Sequence, residues 1–260
     1  MRKHVMTTGE KDTGVRKDFT DLQKEQMQKK IYIEQLTNEA SNLNKYTFVK
    51  DKPEINAICY HKEDTENPII RLDAVLDFGA KKLFDVLTDV EQVPNWFRVR
   101  CKANKLVETL TSGTEVYLMI LNLPQPINQL TIYYKRFLQQ DEQKHEYKII
   151  YSSKGLENYQ PPPKFIRQLE SSNTKIRLNE NSHRAGFSQF GISLKAIGGE
   201  VKTGKDKKGT LVLPHTQLFY IQQVDFGGYL LPTSSQVQLL SNYMFEFVEL
   251  ACEKSVSAKP

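Results

Sequence analysis

Val224-Asp225-Phe226-Gly227-Gly228-Tyr229-Leu230-Leu231-Pro232 is the stretch on which the fold turns, because it closes one element and opens another of opposite period. The glycine pair lets the backbone turn sharply, and Pro232 suits the first turn of a helix, where its missing N–H costs nothing. Beyond it, residues 233–254 place Val237, Leu240, Met244, Val248 and Ala251 on one helical stripe, with Leu239, Tyr243, Phe247 and Leu250 beside it. That apolar arc is wide, as a helix covering a deep concave surface requires. Before it, residues 216–225 predict a strand, paired across the glycine- and lysine-rich residues 198–209 with a strand over 192–197.

Further toward the N-terminus the strand pattern continues. Residues 99–109 and 115–121 form one predicted hairpin around Thr111-Ser112-Gly113, and residues 130–139 and 145–152 a second one after the corner Pro124-Gln125-Pro126. A helix is predicted over 80–90 from Leu83, Phe84, Val86, Leu87 and Val90, stopping before Pro94, with the chain's single Trp at 96. Short strands are expected at 46–49, 55–61 and 69–76. Residues 18–43 lack Gly and Pro and predict a moderately amphipathic helix that docks on its own domain. Residues 157–167, with Pro161, Pro162 and Pro163, predict a loop, and 176–179 a resumed strand; between 179 and 190 Gly, Ser and His interrupt every period. Residues 1–17 are expected to carry no structure, 18–254 to form a single domain, and 255–260 a flexible tail.

Composition bounds the function. No apolar run approaches the ~20 residues of a membrane-spanning helix. The net charge is +5, and ten Lys or Arg against seven Asp or Glu fall within residues 1–50, so the remainder is close to neutral. Nucleic-acid binding is therefore not expected. Lys202, Lys205, Lys207 and Lys208 form a basic hairpin tip suited to solvent or to anionic head groups. Cys59, Cys101 and Cys252 are far apart and odd in number, which fits neither a disulfide framework nor a zinc site and points to a reducing cytoplasmic setting. No signal-peptide run or lipidation motif is found, so membrane contact is expected to be peripheral. No G-x-S-x-G elbow, phosphate-binding loop, H-E-x-x-H helix or dinucleotide turn occurs, and His4, His61, His145, His183 and His215 are dispersed. A metal, a cofactor and an enzymatic activity are not expected.

At Asp85-Val86-Leu87-Thr88-Asp89 through Asn95-Trp96, at Lys105-Leu106-Val107-Glu108, at Leu123-Pro124-Gln125-Pro126, and at Thr216 to Tyr220 with Val224-Asp225-Phe226-Gly227-Gly228 and Leu231-Pro232, the chain resembles the START (steroidogenic-acute-regulatory-related lipid transfer) domains. The match spans about residues 46–254, and the Asp-x-Gly-Gly followed by Leu-Pro is its most specific piece. The resemblance implies an α+β helix-grip fold, a strongly curved antiparallel sheet around the C-terminal helix, enclosing one lipid. It implies a pocket lined by Trp96, Met119, Leu121, Tyr134, Arg136 and Tyr151 and by Leu240, Tyr243, Met244 and Phe247 of the last helix, with Gly227, Gly228 and Pro232 shaping the gate.

The chain also departs from the family. Asn128-Gln129-Leu130 stands where the family carries an Arg-Asp pair, and Met119 and Tyr134 occupy the positions of a buried acid and a buried Arg. The implied pocket lacks a central ion pair, leaving Tyr134, Arg136 and Tyr151 as candidates for head-group or hydroxyl contacts; Met119, Tyr134 and Tyr151 equally fit plain sheet core. Residues 157–167 fall where the family has a mobile loop at the pocket mouth. The expected function is carriage or sensing of one lipid by a monomer that touches membranes transiently. The alternatives are a helix-grip hydrolase or cyclase and a lipid-responsive adaptor.

Overall fold

Residues Ile69–Leu76 are buried at almost every position, as a strand covered on both faces must be. In the computed structural model they form β3 of a nine-stranded sheet; the structure describes residues 13–63, 67–98, 100–110, 112–123, 129–172, 178, 183–197, 215–227 and 231–257. The other strands are β1 (Thr47–Lys52), β2 (Ala57–Lys62), β4 (Cys101–Thr109), β5 (Glu115–Asn122), β6 (Gln129–Asp141), β7 (Glu146–Ser152), β8 (His183–Ile197) and β9 (His215–Asp225). The helices are α1 (Thr13–Ser41), α2 (Ala80–Thr88), α3 (Val93–Trp96), α4 (Pro163–Ser172) and α5 (Thr233–Ser257).

The strand order is β1-β2-β3-β9-β8-β7-β6-β5-β4, and all these neighbours pair antiparallel. Beyond the end of the short β7, Leu130–Ile132 of β6 pair directly, in parallel, with His183–Ala185 of β8. Bulges interrupt β1, β4 and β8, and each adds bend and twist.

Strand alternation divides the apolar residues between two faces. Tyr117, Met119, Leu121, Ile132, Tyr134, Ile149, Tyr151, Leu218 and Tyr220 point inward onto α5 and α2. The opposite parity of β5, Val116, Leu118 and Ile120, packs outward with Leu169 of α4 and with Leu156. Phe137, Ile150, Phe219 and Ile221 lie beneath Leu36 of α1. At that crossing β8 carries Gly191, where a Cβ would come within 2.4 Å of Leu36 Cδ1.

Arg71 fastens α1 to the sheet. Its guanidinium donates to the carbonyls of Glu39 and Ala40 at the end of the helix, pairs with Asp73 at 2.8 Å, and lies between the rings of Tyr46 and Phe219. Carbonyls without an intrahelical partner are thereby satisfied by a cation, which also complements the helix dipole.

Several expectations are corrected. The first helix begins at Thr13, not near residue 18, because no Gly or Pro intervenes between Val15 and Ser41 and a glycine in the first turn is tolerated. The 80–90 helix stops at Thr88, and Pro94 falls in the first turn of α3, where a proline N–H is not needed. Residues 157–167 are not a loop throughout: Pro163 opens α4, whose Leu169 is buried against the outer face of the sheet. The region 183–190 belongs to β8, whose bulge between Phe187 and Gln189 breaks the period. Gly228, the corner at 124–126, Asn128, the basic tip at 198–209 and most of 176–179 lie outside the described residues.

Candidate functional site

Five consecutive strands send aromatic rings to the inner face, and one from each forms a belt: Tyr117 from β5, Tyr134 from β6, Tyr151 from β7, Phe190 from β8 and Tyr220 from β9, with Tyr147 of β7 and Phe187 of β8 in the same cluster. Tyr117 stands opposite Tyr134, and Tyr151 opposite Phe190, so neighbouring rings meet. Their centroids are 5.5 Å apart for Tyr117 and Tyr134, 4.4 Å for Tyr134 and Tyr151, 4.4 Å for Tyr151 and Phe190, and 5.2 Å for Phe190 and Tyr220. The belt continues onto α5, where Phe247 lies 6.0 Å from Tyr220, 5.3 Å from Trp96 and 5.4 Å from Phe97, and Tyr243 lies 5.0 Å from Phe97. Met119, Leu121, Leu240 and Met244 complete this interior.

Polar groups within it are few. Asn104 of β4 is 1% exposed; its Oδ1 accepts the Tyr134 hydroxyl at 2.7 Å, and its Nδ2 has no partner. Trp96 Nε1, His61 Nδ1 and Gln236 Oε1 are also buried without partners, while Gln236 Nε2 donates to Leu231 O at 2.9 Å. Tyr220 donates to Gln222 Oε1 at 2.7 Å. Burial pushes the phenols of Tyr134, Tyr220 and Tyr243 well above their ordinary range, so they stay protonated hydrogen-bond donors. Arg71 is the one charged residue among the described buried residues, and it faces α1 on the outside.

No protein-family model matches the chain, and no curated protein matches its sequence. Solved structures do. Human STARD10 matches with a TM-score of 0.60 at 17% identity over 85% of this chain and 78% of that one. Human StAR-related lipid transfer protein 5 matches with a TM-score of 0.61 at 8% identity, over 87% and 94% respectively. A STAR-related lipid transfer protein fragment from Xanthomonas axonopodis gives 0.51 at 12%, over 82% and 99%. The chain has the START fold. At these identities the likeness concerns the fold.

Mapped on the START fold, the candidates from the sequence separate into an interior and a rim. Trp96, Met119, Leu121, Tyr134, Tyr151, Leu240, Tyr243, Met244 and Phe247 share one cluster. Met119 and Tyr134 both face inward but are not opposite each other, since Met119 pairs with Ile132. Arg136 is already engaged: it donates to Thr88 O at the end of α2 and to Glu115 Oε2 at 2.8 Å, and lies over the Tyr117 ring. Burial raises the Glu115 carboxyl, but its bonds from Tyr117 and Arg136 outweigh that and hold it below its ordinary range.

At the gate, Asp225 Oδ1 accepts the Gly227 N–H, and Gly227 adopts φ +65° with its α-carbon so close to β8 that a Cβ would lie 1.7 Å from Arg184 O. Pro232 precedes α5 and accepts its first bonds, from the N–H groups of Ser235 and Gln236. Two hollows, of about 370 and 490 Å³, have no α5 residue in their walls. The first lies between α1 and the outer sheet face, the second beside Ser153, Arg184 and Gly227. Among the described residues, no helix is long and apolar enough to cross a membrane.

Sequence reasoning did not find Asn104. The signal was present as a lone amide inside a predicted strand, but the bulge between Cys101 and Ala103 changes which parity faces inward.

Proposed function

We propose that residues 18–254 form one lipid-binding domain that holds a single hydrophobic molecule between the sheet and α5 and carries or presents it. The observation that supports this reading is the unbroken belt of inward rings from β5 to β9 facing Trp96, Tyr243 and Phe247. Such a surface gains about 25 cal/mol for each Å² of ligand removed from water. The neighbours named as StAR-related lipid transfer proteins have the same fold and support the same reading. Opening requires α5 to lift, and the apolar surface this exposes is accepted by a bilayer, which favours transient peripheral membrane contact; the free cysteines Cys59, Cys101 and Cys252 favour a reducing, cytoplasmic setting. The exchange breaks no bond and needs no catalytic base; the protonated Tyr243 phenol suits donation to a ligand.

Uptake of lipid from vesicles tests the location of the site. Met119→Glu and Leu240→Glu each place a charge among buried apolar residues and are expected to abolish uptake, while Lys82→Glu on the exposed side of α2 leaves it unchanged. Circular dichroism checks that the variants are folded. Uptake retained by folded Met119→Glu and Leu240→Glu contradicts the assignment.

A further inference from the structure

The hydrogen bond from Tyr134 to Asn104 arches over β5, joining β6 to β4 across the inner face. Tyr134 is fully buried and its hydroxyl is committed to Asn104 Oδ1, which orients the amide and leaves Nδ2 pointing its hydrogens at no protein acceptor. A buried donor without a partner costs free energy that a strand position does not require, since an apolar side chain fits there as well. The other unpartnered interior atoms are Gln236 Oε1, an acceptor on α5, His61 Nδ1 on β2, which donates or accepts according to the ring's tautomer, and Trp96 Nε1, a donor on α3. None of these lies on a neighbouring strand, and β2 is near the opposite end of the strand order from β4, so Asn104 Nδ2 is the obligate unpartnered donor of the sheet's inner face among the described residues.

We infer that Asn104, held by Tyr134, selects the ligand, and that the ligand is an uncharged lipid presenting a carbonyl or ester oxygen to Asn104 Nδ2. This rests on the proposed lipid-binding function and deepens it. A carbonyl oxygen accepts and has nothing to donate, so it satisfies Nδ2 without leaving a new orphan; a hydroxyl accepting from Nδ2 brings a proton that needs a second acceptor, and Oδ1 offers it only the lone pair that Tyr134 leaves free. A phosphate or carboxylate is disfavoured because no described interior residue offers a countercharge: Arg71 faces α1, and Arg136 is paired with Glu115 at the rim.

The test uses the full chain and three pyrene-labelled probes of matched chain length: a fatty acid methyl ester, an alkane without oxygen, and a phosphatidylcholine. The wild type is expected to bind the ester about tenfold more tightly than the alkane, the effect of one recovered buried hydrogen bond. Asn104→Leu is expected to bring that ratio to about one with alkane binding unchanged. Because Asn104→Leu strands the Tyr134 hydroxyl, the double variant Asn104→Leu/Tyr134→Phe replaces both partners by apolar groups and serves if the single variant does not fold. Equal binding of ester and alkane by the wild type, an ester preference that survives in the variants, or tighter binding of phosphatidylcholine overturns the inference while leaving lipid binding standing. A wild type that binds none of the three and purifies without lipid overturns the proposed function and this inference with it.

Discussion

At Gly227 a side chain has no space: φ is +65° and the Cβ direction runs into the Arg184 carbonyl. Gly227→Ala is expected to destabilise the fold by about 1–3 kcal/mol through backbone strain alone, read as a lowered thermal midpoint, with the clash adding to it. A midpoint equal to wild type contradicts that geometry. The need for glycine here was legible in the sequence as a turn between strand and helix, but not the close approach of β8, because the strand that supplies Arg184 was itself unreadable. Asn104 illustrates the opposite case. With Cys101 facing inward, simple alternation puts Ala103 inside and Asn104 outside, and the bulge reverses this. A single extra residue decides whether an amide faces solvent or ligand, and one strand's sequence does not announce it.

Among the elements, those bounded by clear punctuation were legible. β3 occupies residues 69–76 as expected because its apolar residues, interrupted only by Arg71 and Asp73, are flanked by turns. α4 was missed because Pro161, Pro162 and Pro163 read as a loop, whereas the last of them opens a helix. α1 was legible as a self-docking helix but not the device that holds it, since Arg71 lies in a strand more than thirty residues away from the carbonyls it caps. Arg71→Ala removes the cap, both ring contacts and the partner of Asp73. It is expected to cost about 2–4 kcal/mol and to make α1 the first segment to lose hydrogen-exchange protection. Protection of α1 equal to wild type contradicts the role assigned to Arg71.

The two halves of α5 are held differently. Arg100 pairs with Glu246 at 2.9 Å and Lys52 with Glu249 at 2.5 Å, whereas the first turn is tied to the gate by Gln236 and Leu231. Opening is therefore expected at the N-terminal half: in the presence of vesicles, amides of residues 233–241 exchange faster than those of 242–254. Uniform exchange along α5 contradicts a hinged gate.

At the scale of the whole molecule, the order of elements carried the fold. Successive antiparallel strands followed by one broadly apolar helix have few ways to bury that helix, and a sheet bent around it is the one observed. The state of the interior was not legible. Its aromatic residues serve as well for a filled core as for a lipid pocket, and neither of the two hollows described is walled by α5. The inward rings touch one another, so for a ligand to enter they must part or α5 must lift, and occupancy is the central claim. Native mass spectrometry of the purified chain, followed by organic extraction and identification of what co-purifies, tests it most directly. A single lipid bound in one-to-one ratio, lost in Met119→Glu, is the predicted result; an empty protein that also takes up no lipid from vesicles would contradict the account.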